Sequence, residues 1–415
     1  MTAESTDLAV RMRPLTIHEE GGSWIVGRND SGDFVELPIQ AITFIEALQL
    51  TGSIPAAELR VEQRHGQAID SEGFVTSLVG LGYVESIGSH VYADSAQPPS
   101  LPWLQAHHVR FLFSRPAAVL VGLLWLAGLL AAWRRRDLLP DYSSFFVTGW
   151  NGFNIAWSTL FYLVTVAGHE FSHLAAARAS NVHARFGLGT RLNLLVAETK
   201  VAGLWGAPRR TRFRVYTAGM RFDLCVMAVL SITLTWTALP TFVARSAESL
   251  ILALFISIAT QFALYMRTDV YFVCQELLRC KNLFGDAWAY VHFKRGRLVG
   301  DRSHESADPV LALPEREQRP VRLYAWFMLI GSGVSLTIFA GYGAPVLLRL
   351  FADSFGEIGR GVADGNALVL LNGAVVVLVE GGLQVLFVVM FVRKHGRAMR
   401  SGLRATWRRL GGSGA

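Results

Sequence analysis

The clearest chemistry in the sequence lies in the string His169-Glu170-Phe171-Ser172-His173. On a helix, residues i and i+4 share a face, so both imidazoles can point at one metal ion while the glutamate between them stands ready to move protons. With 11 His and 18 Glu among 415 residues, this pattern is expected by chance only about 0.01 times in such a chain. A catalytic zinc uses three protein ligands and leaves a fourth position for water, so the third ligand must come from elsewhere. His183 and His292 qualify by residue type but sit in polar segments. Asp269, in Met266-Arg267-Thr268-Asp269-Val270-Tyr271, is better placed because it closely follows a long apolar stretch. The bland alternatives are histidines that cap a helix end and an interfacial carboxylate paired with Arg267.

The elements that must position these groups are apolar. A helix crossing ~30 Å of hydrocarbon needs about 20 residues. Stretches of that kind occupy 116–133, 143–168, 224–244, 249–266, 323–348 and 366–392, the last interrupted by Glu380. About six transmembrane helices are therefore expected, and the His-Glu pattern falls at the end of the second. A charged residue inside a spanning helix costs about 2.5–3.5 kcal/mol, which makes an intramembrane ionisable cluster functional by default. A composition of 52% hydrophobic and 17% charged residues excludes an ordinary soluble enzyme. Lys and Arg collect in 178–214, in 267–320 and in the tail from Arg393, which the positive-inside tendency puts in the cytoplasm. Arg134, Arg135 and Arg136 run against that orientation. The expected placement is a multi-pass protein of the cell (inner) membrane with a cytoplasmic N-terminal domain, since residues 1–13 lack the basic start and apolar run of a secretory signal.

Three parts are expected: a domain over 1–105, a membrane body over 106–400 and a basic tail over 401–415. Residues 1–105 hold 5 Arg, no Lys and 14 Asp or Glu, against a surplus of 16 positive charges in the remainder. Ser23–Gly27 and Phe34–Leu37 flank the turn signal Asn29-Asp30-Ser31-Gly32 and predict a hairpin. Pro38 opens a helix with Ile39, Ile42, Ile45 and Leu48, ended by Thr51-Gly52. Helices near 56–64 and from Asp70, followed by a strand over 83–87, complete a small α/β winged-helix pattern. Its acidity argues against nucleic acid, whose binding depends on basic residues neutralising phosphates. Residues 94–105 read as a linker, and 182–206 read as strands. Cys225, Cys274 and Cys280 form no close pair and are expected to be reduced.

Taken together, the His-Glu-x-x-His at a helix end, Asp269 in its Arg-Thr-Asp-x-Tyr context, and Ala218-Gly219 followed by Asp223 resemble the site-2 protease family of membrane metallopeptidases, more narrowly its bacterial peptide zinc metalloprotease branch. The resemblance spans about 110–400. It implies a Zn2+ cofactor held by His169, His173 and Asp269, with Glu170 as the catalytic residue that activates water. The implied task is cleavage of a peptide or membrane-associated substrate, in maturation or export of a ribosomally made peptide. The family's Asn-Pro before the aspartate and Gly after it are absent, Val270 standing at the latter place. Those departures keep a rival in view, a non-catalytic membrane peptide-binding or immunity protein that retains the metal-site scaffold. Residues 13–88 resemble PqqD-type peptide recognition elements through Arg13-Pro14-Leu15, Phe34-Val35-Glu36-Leu37 and Gly82-Tyr83-Val84, which implies capture of a leader peptide.

Overall fold

The computed structural model describes residues 9–20, 23–28, 30, 31, 34–94, 98–192, 194–201, 203–299 and 308–411. In chain order the N-terminal elements are β1 (Val10–Met12), β2 (Thr16–Glu20), β3 (Ser23–Gly27), β4 (Phe34–Leu37), α1 (Ile39–Thr51), α2 (Ile54–His65), α3 (Ser71–Gly80), β5 (Val84–Ile87) and β6 (His90–Val91). After α4 (Ala106–Val109) come α5 (Arg115–Arg134), α6 (Asn151–Ala179), β7 (Ala184–Arg191), β8 (Leu194–Val201) and α7 (Arg209–Tyr216). The remainder is helical: α8 (Ala218–Trp236), α9 (Thr241–Thr260), α10 (Asp269–Leu278), α11 (Leu283–Val299), α12 (Glu315–Ile338), α13 (Ala344–Ala363) and α14 (Ala367–Gly411). The chain divides into two compact units, one built from 1–114, 173–186 and 199–215, the other from 115–172, 187–198 and 216–415.

In the first unit, β2, β3 and β4 form one antiparallel sheet, and β1, β5 and β6 form another. The expected hairpin is present with Gly27 opposite Phe34; Asn29 and Gly32 of its turn signal lie outside the described residues. Gly52 adopts the left-handed conformation that ends α1, and Asp70 caps α3 through the Gly73 amide. The three-residue spacing from Ile39 understates how deeply α1 is buried. Ile39 itself is exposed, whereas Ala41 to Ile45, Ala47 and Leu48 are all buried, because both sheets and the other helices pack around it.

Two buried arginines hold the sheets to the wing. Arg28 donates to both Asp30 oxygens, to Asp94 and to the Gly82 carbonyl, and Arg13 donates to the Gly82 and Tyr92 carbonyls. Desolvation opposes ionisation of Asp30, but the Arg28 hydrogen bonds and charge outweigh it and leave its pKa lowered. Asp30 therefore stabilises the fold above the ordinary carboxylate range, and its contribution is lost as pH falls through its own lowered value. Arg28→Met is expected to destabilise this unit by about 2 kcal/mol, and acid to discriminate less between the variant and its parent than neutral pH does. Hydrogen exchange of 10–37 in the full chain as a function of pH measures both.

In the second unit, five helices among the described residues are long and apolar enough to cross a membrane: α5, α8, α9, the continuous helix from Glu315 to Ala363, and Ala367–Lys394 of α14. About six were expected from the sequence. The stretch 143–168 opens with a short turn, Tyr142–Phe145, and helix begins only at Asn151 and continues to Ala179 in α6, which is not among these five. Buried Asn154 and the His-Glu cluster dilute the apolar character of α6. The third and fourth spans also shift, since the break falls at 237–240, after α8 ends at Trp236 and before α9 starts at Thr241 with Pro240 as its N-cap. A π turn over Phe339–Gly343 joins α12 to α13.

Candidate metal centre

Helix α6 is fixed at its start by side-chain amides. The Asn154 carbonyl accepts from the Val147 and Thr148 backbones, while the Asn372 carbonyl accepts from the Gly152 amide and its own amide group donates to Glu357. Further along, Trp157 donates to Ser246 of α9. These contacts set both the position and the roll of the helix that carries His169, Glu170 and His173.

Asp223, fully buried on α8, is the hub of the centre. One of its oxygens accepts from His169 Nδ1 at 2.8 Å and from Ser257 Oγ at 3.1 Å, so one carboxylate ties α6, α8 and α9 together. With its Nδ1 proton spent on Asp223, a neutral His169 ring presents a lone pair at Nε2. That atom faces the Asp269 carboxylate, 3.1 Å away. A proton shared between the two atoms gives an ordinary hydrogen bond at that separation, and a metal ion in the proton's place would use the same two atoms. Ligands about 2.0–2.1 Å from a tetrahedral zinc lie roughly 3.3 Å apart, close to what is observed.

His173 lies one turn further along α6, so helix geometry alone brings it beside His169. Its Nδ1 donates to the Val215 carbonyl at 2.7 Å, which again reserves Nε2 for a ligand role. Pinning the second ring nitrogen on a carboxylate or carbonyl is the usual support of a metal-binding imidazole. His169, His173 and Asp269 each offer one ligand atom, and these atoms all lie within 4.8 Å of one another. Among the described residues no other group of three or more His, Cys, Asp and Glu side chains meets in this way.

The segment 261–269 positions Asp269. Arg267 takes a left-handed turn, the Thr268 hydroxyl donates to the Gln261 carbonyl, and the Asp269 amide donates to the Gln261 side chain. Asp269 becomes the first residue of α10, where the helix dipole favours a carboxylate. It is nine residues beyond the end of α9, further from the span than the apolar stretch to 266 suggests, because the chain leaves helix at Thr260. Of the other candidates, His292 is exposed on α11 against Trp288, and His183 stands on the turn before β7. Neither joins the ligand group. Glu170 is half-buried and outside that group, one residue from His169 and so rotated to its flank.

Close packing of α6 on α8 makes room for the ring. A Cβ at Gly219 would stand 2.2 Å from His169 Nε2, and one at Gly168 would stand 2.3 Å from the Phe222 ring. Asp223, Gly219, Ser257 and Gln261 pack against or hydrogen-bond to the candidate ligands and their supports, and ligand spacing did not single them out. Gly219 and Asp223 entered the sequence reading only through the family resemblance, as Ala218-Gly219 followed by Asp223. Nothing in the sequence marks Ser257 or Gln261.

The donor set of two imidazoles and one carboxylate, with both imidazoles oriented from behind, fits a zinc ion. Comparison of the chain with protein-family models, with curated proteins and with solved structures finds no match in any of the three.

Proposed function

We propose that this chain is a membrane-embedded, zinc-dependent peptidase acting on a peptide or membrane-associated substrate. The observation that carries the reading is the buried pair of histidines, each with Nδ1 engaged, gathered with Asp269 around one point. His169, His173 and Asp269 would hold the metal, which when bound supplies Lewis acidity and an acidified water. Glu170 then acts at its carboxylate oxygens, taking a proton from the attacking water and returning it to the departing amide nitrogen. Asp223 keeps His169 in the tautomer that leaves Nε2 open and stabilises the positive charge that the ring gains on ligation. In this reading the protein resides in the cell membrane with its N-terminal domain in the cytoplasm.

The N-terminal domain would present a leader peptide or another peptide to the membrane body. Its acidity supports this over nucleic acid, and two of its five arginines are already committed inside the fold to Asp30 and Asp94. Random duplex DNA added to the full chain in detergent is expected to show no salt-dependent binding; salt-sensitive binding would overturn this part of the reading.

The deciding test is zinc content together with cleavage of a quenched-fluorescent peptide library by the purified chain in lipid nanodiscs. Stoichiometric zinc and chelator-sensitive cleavage are expected. A chain that binds zinc and carries an intact Glu170, yet releases no fragment from the library or from peptides encoded beside it, would favour the non-catalytic peptide-binding protein instead.

A further inference from the structure

A cleft of about 530 Å³ lies within the first unit, between α4 with the turn that follows it, Arg110–Phe113, and the last turn of α6. Its polar lining is Gln105, His107, Arg110, Arg178 and Asn181, and none of the described residues that line it is acidic. The walls come from two acid-free runs of chain, since residues 95–136 and 171–197 hold no Asp or Glu. Two arginines facing one cleft without a carboxylate make its local charge positive.

Hydrogen bonds tie the two walls together. The Phe186 amide donates to Ser100 Oγ at 3.0 Å, the Ser100 amide donates to the Ala184 carbonyl, and Arg178 Nη2 donates to the Ser100 carbonyl at 3.0 Å. Asn181 takes the left-handed conformation just past α6, and its amide donates to the Arg178 carbonyl. Arg178 is half-buried, and its Nε is enclosed with no acceptor among the described residues. A buried N–H left unbonded is costly, the more so on a charged group, and an anion in the cleft would relieve it. Arg110 is exposed, and among the described residues it has no carboxylate partner.

The donor set identifies the anion. A carboxylate carries one charge on two oxygens, which a single arginine satisfies in a fork. A phosphate monoester carries about two charges at neutral pH on three terminal oxygens. Two guanidiniums match that charge, and the imidazole N–H and the two side-chain amides supply further donors. We infer that this cleft binds a phosphate monoester, with Arg110 and Arg178 on its oxygens and the remaining volume taking the group it esterifies. Arg110 precedes the candidate span α5 by five residues, so the monoester headgroup of phosphatidic acid and a soluble phosphate ester both suit the site. The inference is independent of the peptidase reading.

Two measurements on the full chain in phosphatidylcholine nanodiscs test it. Equilibrium dialysis of radiolabelled glycerol 3-phosphate reads the soluble source, and hydrogen exchange of residues 102–113 with phosphatidic acid added to the disc reads the headgroup. Stoichiometric, saturable binding in the first or slowed exchange in the second is expected, and which of them occurs names the source. Arg110→Gln should weaken binding by at least about tenfold, the range for a hydrogen bond to a charged group, with zinc content unchanged. The Arg110→Gln, Arg178→Gln double variant should abolish it. Because Arg178 also holds Ser100, Arg110→Gln alone carries the test should the double variant fail to fold. Undiminished binding in Arg110→Gln would overturn the inference, since phosphate held by a metal or elsewhere would survive that change. Absence of both binding and slowed exchange would overturn it too. So would displacement of glycerol 3-phosphate by succinate at equal concentration, or equal protection by phosphatidylglycerol, whose phosphate is a diester.

Discussion

Glu170→Gln is expected to keep its zinc and lose its cleavage, with turnover falling by about 10²- to 10⁴-fold, the range that a positioned acid–base group contributes. His169→Ala and His173→Ala should instead lose the metal itself. The contrast rests on geometry. His169 and His173 lie four residues apart on one face of α6, whereas Glu170 lies outside the group of ligand atoms. Glutamine preserves the shape of the side chain but cannot take a proton from water at neutral pH. Metal analysis of the purified variants, beside fluorescence of a cleaved peptide, separates the two roles. Asp269→Ala belongs to the same experiment: a carboxylate 3.1 Å from His169 Nε2 should be needed for tight binding, and the variant should release zinc to a chelator that the parent resists. Full metal occupancy in both histidine variants would sink the metal centre. Undiminished cleavage in Glu170→Gln would leave the centre standing and remove its proposed chemistry.

How much of this was legible in the sequence depended on whether a feature is local. The helical phase that brings His169 beside His173 is a property of five consecutive residues, and it survives folding because α6 is continuous through them. The hairpin of β3 and β4, the end of α1 at Gly52 and the cap at Asp70 are similarly local, each set by turn or cap chemistry within four residues. The limits expected at 143–168 missed for a complementary reason. An uncharged run says nothing about where helix begins, and Asn154 turns inward to hold the backbone of residues 147 and 148, which delays the helix to Asn151. The residues that support Asp223 and Asp269 were the least legible part. Ser257 and Gln261 act through partners 34 and 8 residues away, and a serine or glutamine in or near an apolar run has no signature of its own. The same holds for Arg13 and Arg28, which by type belong on the surface and by structure are buried clamps between strand and wing.

Gly219→Ala is expected to abolish zinc binding although the substitution adds a single methyl group and touches no ligand covalently. The added carbon would stand 2.2 Å from His169 Nε2, the atom that must face the metal, with the ring's two flanking carbons only 2.4 and 2.5 Å away. Contacts that short cannot be relaxed within the native arrangement, so either the ring swings away or α8 withdraws from α6. The ring has little freedom to swing, because Nδ1 is held by Asp223, which is itself held by Ser257. Withdrawal of α8 would carry Asp223 with it and undo that support. Both escapes therefore cost the site its histidine. Asp223→Ala removes the support without the clash, and its expected effect is milder, a loss of about 10- to 100-fold in zinc affinity with the fold retained. Gly168→Ala supplies the matching control, since its Cβ would meet the far end of the Phe222 side chain on the same helix pair, which can turn aside without α8 withdrawing and without moving the His169 ring. Thermal unfolding in detergent should drop for both glycine variants, by a few kcal/mol at most for overpacking of this kind. Zinc affinity, measured by competition with a chromogenic chelator below the unfolding range, should collapse only for Gly219→Ala. Equal zinc loss in the two would mean that the centre merely reports helix packing; normal zinc in Gly219→Ala would mean that His169 does not present Nε2 to a metal.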